Sequence, residues 1–189
     1  MSFTYRAIVL FLGVNDLKVS NWQPVEVAHD PAADLRFVLE TIASDCPRTL
    51  GVVVVDPLPL VPNRSYTRQG AFWDLSLPGR GNLSETYASM VGDVVFEQRN
   101  RLHPRLRVEH LASSAFVHDL SDFLPQDGVH YDGTYTNGTR TILHAMLAAA
   151  LQSAVRRVLA DKAVLEHHER ERLRARAAAR SHGLHAQQH

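Results

Sequence analysis

Four consecutive valines, Val52-Val53-Val54-Val55, constrain this chain more than any other feature. Successive side chains of a strand point to opposite faces, so a run that is apolar at every position must be covered on both sides. β-Branching at each position favours the extended state over a short buried helix. Two other runs share this character. Residues 7–12 are nearly continuously apolar, with Ile8 and Val9 β-branched, while residues 105–111 alternate and place Leu106, Val108 and His110 on one face.

Between these runs the period changes from two to about 3.6. Leu35, Val38, Leu39 and Ile42 fall on one helical face, with Asp30-Pro31 as the start and Pro47 just past the end. A second helix, with Ser84 as its cap, carries Tyr87, Met90, Val91, Val94 and Val95. A third begins near Thr139 and carries Ile142, Leu143, Met146, Leu147, Ala150 and Leu151. Residues 57–81, broken by prolines and glycines, read as a long loop. Strands alternating with helices predict an α/β domain built on a parallel sheet.

Composition narrows the function classes. The 189 residues suffice for one domain of ordinary size. Twenty basic residues balance twenty acidic ones, which argues against a surface that binds nucleic acid all over. The single cysteine, Cys46, excludes an internal disulfide framework and a cysteine-rich zinc site. No apolar run approaches the roughly 18 residues of a membrane span. Arg6 and the short apolar stretch behind it lack a small-x-small cleavage site, so they read as a strand, and a cytoplasmic location is expected. The sequons at Asn63, Asn82 and Asn137 are then expected to carry nothing.

Charge is uneven along the chain. Residues 155–180 hold eight basic and four acidic residues, a net +4, which leaves −4 for the remainder. The expected division is a body over residues 1–155 and a basic helical extension over residues 156–189, frayed at its end.

In open parallel sheets, ligands bind outside the carboxyl ends of the strands. Those positions are Gly13-Val14-Asn15-Asp16 after the first strand and Asp56-Pro57 after the second. The third strand leads, past Ser113 and Ser114, to Asp127-Gly128-Val129-His130. Asp127 is placed to accept a hydrogen bond from the Nδ1–H of His130, fixing its tautomer and freeing Nε2 as a general base. Asn15 offers an amide donor for an oxyanion. Taken singly, each reads better as a turn: an Asp-Gly turn with an incidental histidine, and an Asn-Asp turn.

Taken together, Gly-x-Asn-Asp after an early strand and Asp-x-x-His before the last helix resemble the third and fifth sequence blocks of the SGNH (GDSL-type) hydrolases. The resemblance spans roughly residues 5–155, and the string Asp-Gly-Val-His-Tyr-Asp is like the PC-esterase-like branch. It implies a three-layer α/β/α, flavodoxin-like parallel sheet and an esterase-type acyl transfer on a small-molecule ester. His130 would be the base, Asp127 its orienting acid and Asn15 an oxyanion donor. No metal or organic cofactor is implied.

The chain departs from that pattern in one respect. The family's Gly-Asp-Ser nucleophile block, which precedes Gly-x-Asn-Asp, does not occur; the single Gly-Asp, Gly92-Asp93, leads into Val94 in a predicted helix. The family's two N-terminal strands are therefore expected to be absent, leaving the strand at residues 7–12 as an apolar edge open to a second copy or a partner chain. Three readings remain: the C-terminal portion of a hydrolase, a relative kept for binding, or a subunit completed by another chain. Ser20, Ser65, Ser113 and Ser114 lie on loops after strands, and none is predicted on the strand-to-helix turn that a nucleophile needs.

The extension is expected to continue the last helix, with Val155, Val158, Leu159 and Leu165 prolonging its apolar stripe. Mixed-sign pairs such as Glu166 with Arg170 would solvate it. Arg170, Arg172, Arg174 and Arg176 also permit an RNA-binding arm, though no aromatic residue interleaves with them. His167 and His168, adjacent on a helix, point about 100° apart and suit no single metal site. Trp22, Trp73, Phe72 and Tyr66 read as packing residues, and His29, His103 and His110 show no partner pattern.

Overall fold

The structure, a computed structural model, describes residues 6–11, 30–57, 83–115 and 139–185. Within them lie three strands and four α-helices: β1 (Arg6–Phe11), α1 (Pro31–Asp45), β2 (Thr49–Val55), α2 (Leu83–Leu102), β3 (Arg107–Leu111), α3 (Thr139–Leu159) and α4 (Lys162–His185). A single 3₁₀ turn, Ser113–Ala115, follows β3. The strands form one parallel sheet in the order β1-β2-β3, with Val53 in register with Val9 and Glu109.

The valine run does what its pattern requires. All seven residues of the central strand β2 are buried. Val52 and Val54 pack with Leu39 of α1 and with Tyr87, Val91, Val94 and Val95 of α2. Val53 and Val55 pack on the opposite face with Ala154 and Val158 of α3. Helices on both faces make an α/β domain of three layers. α1 and α2 share a face because strand order follows chain order, so both crossovers take the same hand.

Local signals account for the element ends. Asp30 caps α1 by accepting the Ala32 and Ala33 N–H groups at 3.0 and 3.1 Å, with Pro31 supplying a fixed φ in the first turn. α2 starts at Leu83, so Ser84 sits in its first turn rather than at the cap.

The expected single helix through residues 155–180 is two helices. α3 ends at Leu159, and Asp161 starts α4 by accepting the Val164 N–H on Oδ1 at 3.2 Å. An aspartate with an acceptor poised for the third amide begins a helix at lower cost than it continues one. Val158 and Val164, on either side of the break, are both buried, so the first turn of α4 belongs to the core.

Among the described residues β1 stands at one edge of the sheet, with Val9 42 % and Phe11 46 % exposed. No helix of the described residues is long and apolar enough to cross a membrane.

Candidate functional site

Parallel strands bring their carboxyl ends to one edge of the sheet, where the chain leaves β1 after Phe11, β2 after Val55 and β3 after Leu111. α3 runs the other way. Val158, near its end, lies against Gly51 early in β2, and Asp161 just beyond bonds Arg107 at the amino end of β3. The start of α3 therefore points toward the carboxyl edge. The predicted site residues Asn15, Asp127 and His130 lie outside the described residues, as do His29 and Trp22.

What the structure does describe at this edge is a polar cluster around Asp56, whose side chain is only 3 % exposed. The Ser113 N–H donates to Asp56 Oδ1, and His110 Nε2 lies 3.5 Å from Asp56 Oδ2. Alternation explains the meeting. Asp56 follows Val54 by two positions, and His110 is in register with Val54 on the neighbouring strand, so both side chains fall on the α2 face. At 3.5 Å the imidazole lies beside the carboxyl group without a good hydrogen bond, and Nε2 is buried with no other partner. The cluster ties the ends of β2 and β3 together and holds a ring next to an acid.

Two sequence expectations change here. His110 has a partner, Asp56, and His103 has one too, at 3.4 Å from Asp161. Ser113 and Ser114 lie in the 3₁₀ turn after β3, with Ser113 buried and Ser114 exposed.

The opposite, amino edge is organised by ion pairs. Buried Glu109 binds Arg107 Nη2 through Oε1 and Arg157 Nε through Oε2, each at 3.0 Å. Arg107 Nη1 continues to Asp161 Oδ2 at 3.2 Å. His168 Nε2 meets the Arg105 carbonyl oxygen at 2.8 Å, fastening α4 below the sheet. Burial works against ionisation of Asp161, but the Val164 N–H, the His103 hydrogen bond and charge, and the Arg107 charge together outweigh it. They hold this carboxyl below the usual carboxylate range. Burial, with the charges of His168, Arg170 and Arg105, pushes the His167 imidazole down against the opposing pull of Glu171.

Farther along α4, Arg172 pairs with Glu169, Arg174 with Glu171 at 2.7 Å, and Lys162 with Glu166 at 3.7 Å. Glu166 thus serves Lys162 instead of Arg170. Among the described residues no group of three or more His, Cys, Asp or Glu side chains could hold a metal ion.

No family model, curated protein or solved structure matches the chain.

Proposed function

We propose that this chain is a domain of the SGNH (GDSL-type) hydrolase kind, with a flavodoxin-like sheet, whose base and oxyanion groups serve a serine outside the missing Gly-Asp-Ser block. His130 accepts the proton of a serine nucleophile, Asp127 orients the imidazole, and Asn15 donates to the developing oxyanion. One observation supports this reading above the others. The strands are parallel, so the segment after Phe11, the Asp56 cluster and the start of α3 all belong to the carboxyl edge of the sheet. That is where the strand rule puts a site, and in sequence Gly13-Val14-Asn15-Asp16 follows β1 while Asp127-Gly128-Val129-His130 precedes α3. The substrate class is a small ester, without metal or organic cofactor.

Labelling by a fluorophosphonate tests the proposal. One serine becomes modified, peptide mapping identifies it, and His130→Ala slows the labelling by at least roughly 100-fold with the circular dichroism unchanged. A folded protein that stays unlabelled between pH 6 and 9, or one labelled equally well in His130→Ala, overturns it.

A further inference from the structure

We propose a second site, on the outer flank of β3, that binds the oxyanion of a small molecule, phosphate or carboxylate, carrying an apolar body. α2 shows three faces. One, with Tyr87, Val91, Val94 and Leu102, enters the core. Another meets α1 through the Arg36–Glu97 and Glu40–Arg101 pairs, at 3.0 and 2.6 Å. The third carries Gly92, Phe96 and Arg99, spaced four and three apart and so on one stripe. It turns toward the side of β3 that no described strand pairs with.

Across from this stripe stand Arg107 and Glu109 of β3 and Arg157 of α3, and the walls enclose a groove of about 440 Å³. That volume lies in the range of small-molecule sites. Phe96, 71 % exposed, supplies an apolar surface at its mouth.

The charges select the ligand. Three guanidinium groups line the groove against one carboxylate. Glu109 bridges Arg107 and Arg157 and so orients two cations, and the three guanidinium groups still outnumber Glu109 and Asp161, the two carboxylates that pair with Arg107 or Arg157. Asp161 and Ser153 restrain the same two arginines through their Nη1 atoms, at 3.2 and 2.9 Å. Cations held this way are pre-organised for an incoming oxyanion. One donor group remains at the surface: Arg99 is exposed and makes no ion pair or hydrogen bond among the described residues, while Arg107 Nε is buried without an acceptor. Such a donor set matches an oxyanion and nothing cationic. At the far end, residue 92 has no side chain; a Cβ there would sit 3.5 Å from His110 Nδ1, so glycine leaves that edge of the ring uncovered.

Calorimetric titration of the whole protein at low salt with phenyl phosphate, inorganic phosphate, benzoate and phenol tests the site. Phenyl phosphate or benzoate binds and phenol does not, and the tighter of the two anions identifies the headgroup. Arg99→Ala weakens binding at least tenfold, and because Arg99 is exposed and holds nothing in place the fold survives. Phe96→Ala removes the advantage of phenyl phosphate over inorganic phosphate. Amide shifts at Gly92, Phe96, Arg99 and Arg107 report where the ligand sits. Absence of binding by every anion at 10 mM, equal binding in Arg99→Ala, or shifts confined to other parts of the molecule overturn the proposal.

Discussion

The two ends of the sheet spend their polar groups differently. At the amino edge, Glu109, Arg107, Arg157, Asp161, His103 and His168 bind one another or a backbone carbonyl, and the pairs join β3 to α3 and α4. At the carboxyl edge, Asp56 is buried with a backbone N–H and an imidazole lying beside it, and Nε2 of that ring has no good hydrogen bond. The amino-edge charges hold elements together, whereas at the carboxyl edge Asp56 and His110 Nε2 are buried beside the strand ends with hydrogen-bonding capacity unused. Substitutions at Asp161 and its amino-edge partners should therefore act on stability, whereas Arg107, Glu109 and Arg157 also shape the proposed groove beside β3 and should act on binding as well.

The largest effect is expected at Gly51. A Cβ at this position would clash at once with the Arg107 carbonyl oxygen and with Val158 Cγ1. The backbone oxygen belongs to the neighbouring strand and the methyl to α3, so neither can yield without separating a layer. Gly51→Ala should cost about 3 kcal/mol or more, toward the upper end for overpacking. Urea unfolding followed by circular dichroism measures it. A loss under about 0.5 kcal/mol would mean that α3 does not lie on β2 as described.

Asp161→Ala comes next, at about 2 kcal/mol, because it removes a helix cap together with the partner of Arg107. The pH dependence has a definite sign. The folded-state pKa of Asp161 lies below its unfolded value, so the stabilisation is fully present above the ordinary carboxylate pKa of about 3.9. It disappears as pH falls through the lower, folded value. The stability gap between the wild type and Asp161→Ala should accordingly be flat from pH 7 to 5 and narrow below 4. His167 acts in a different window: with its folded pKa depressed, it removes stability as pH falls below about 6.5, and His167→Gln should flatten that slope. A gap that widens on acidification would contradict the assignment for Asp161.

These edges were not equally legible in the sequence. The valine run specified a strand covered on both faces, and the spacing of Leu35, Leu39 and Ile42, or of Tyr87, Val91 and Val94, marked which side of each helix covers it. Such patterns are local and are set by burial alone. The Asp56–His110 meeting depends on the register between two strands more than fifty residues apart, and no local pattern encodes register. The break at Asp161 was hidden for another reason: Ala, Arg, Lys and Leu crowd both sides of it, and one capping residue among strong helix formers gives a weak signal. Buried Glu109 was overlooked because alternation reads a charged position as facing solvent, while here two arginines escort it inside. Asn15, Asp127 and His130 lie outside the described residues, so for the proposed esterase site the structure supplies the edge and the sequence supplies the groups.

The smallest expected effect has the opposite sign and sharpens the contrast most. Gly92 lies in the interior of α2, where glycine costs about 1 kcal/mol relative to alanine. An added Cβ would meet His110 Nδ1 and Cε1 at 3.5 and 3.6 Å, ordinary van der Waals contact. Gly92→Ala should therefore stabilise the fold by about 0.5–1 kcal/mol, whereas the same change at Gly51 destabilises it severalfold more. Stability is then not what glycine serves at position 92. If the groove beside β3 takes a ligand as proposed, Gly92→Ala should gain stability and lose affinity for phenyl phosphate, since the methyl covers the imidazole edge at the end of the groove. Thermal melts and titrations on one preparation separate the two effects. A variant that gains stability and keeps its full affinity would show that the groove binds its ligand without the His110 end.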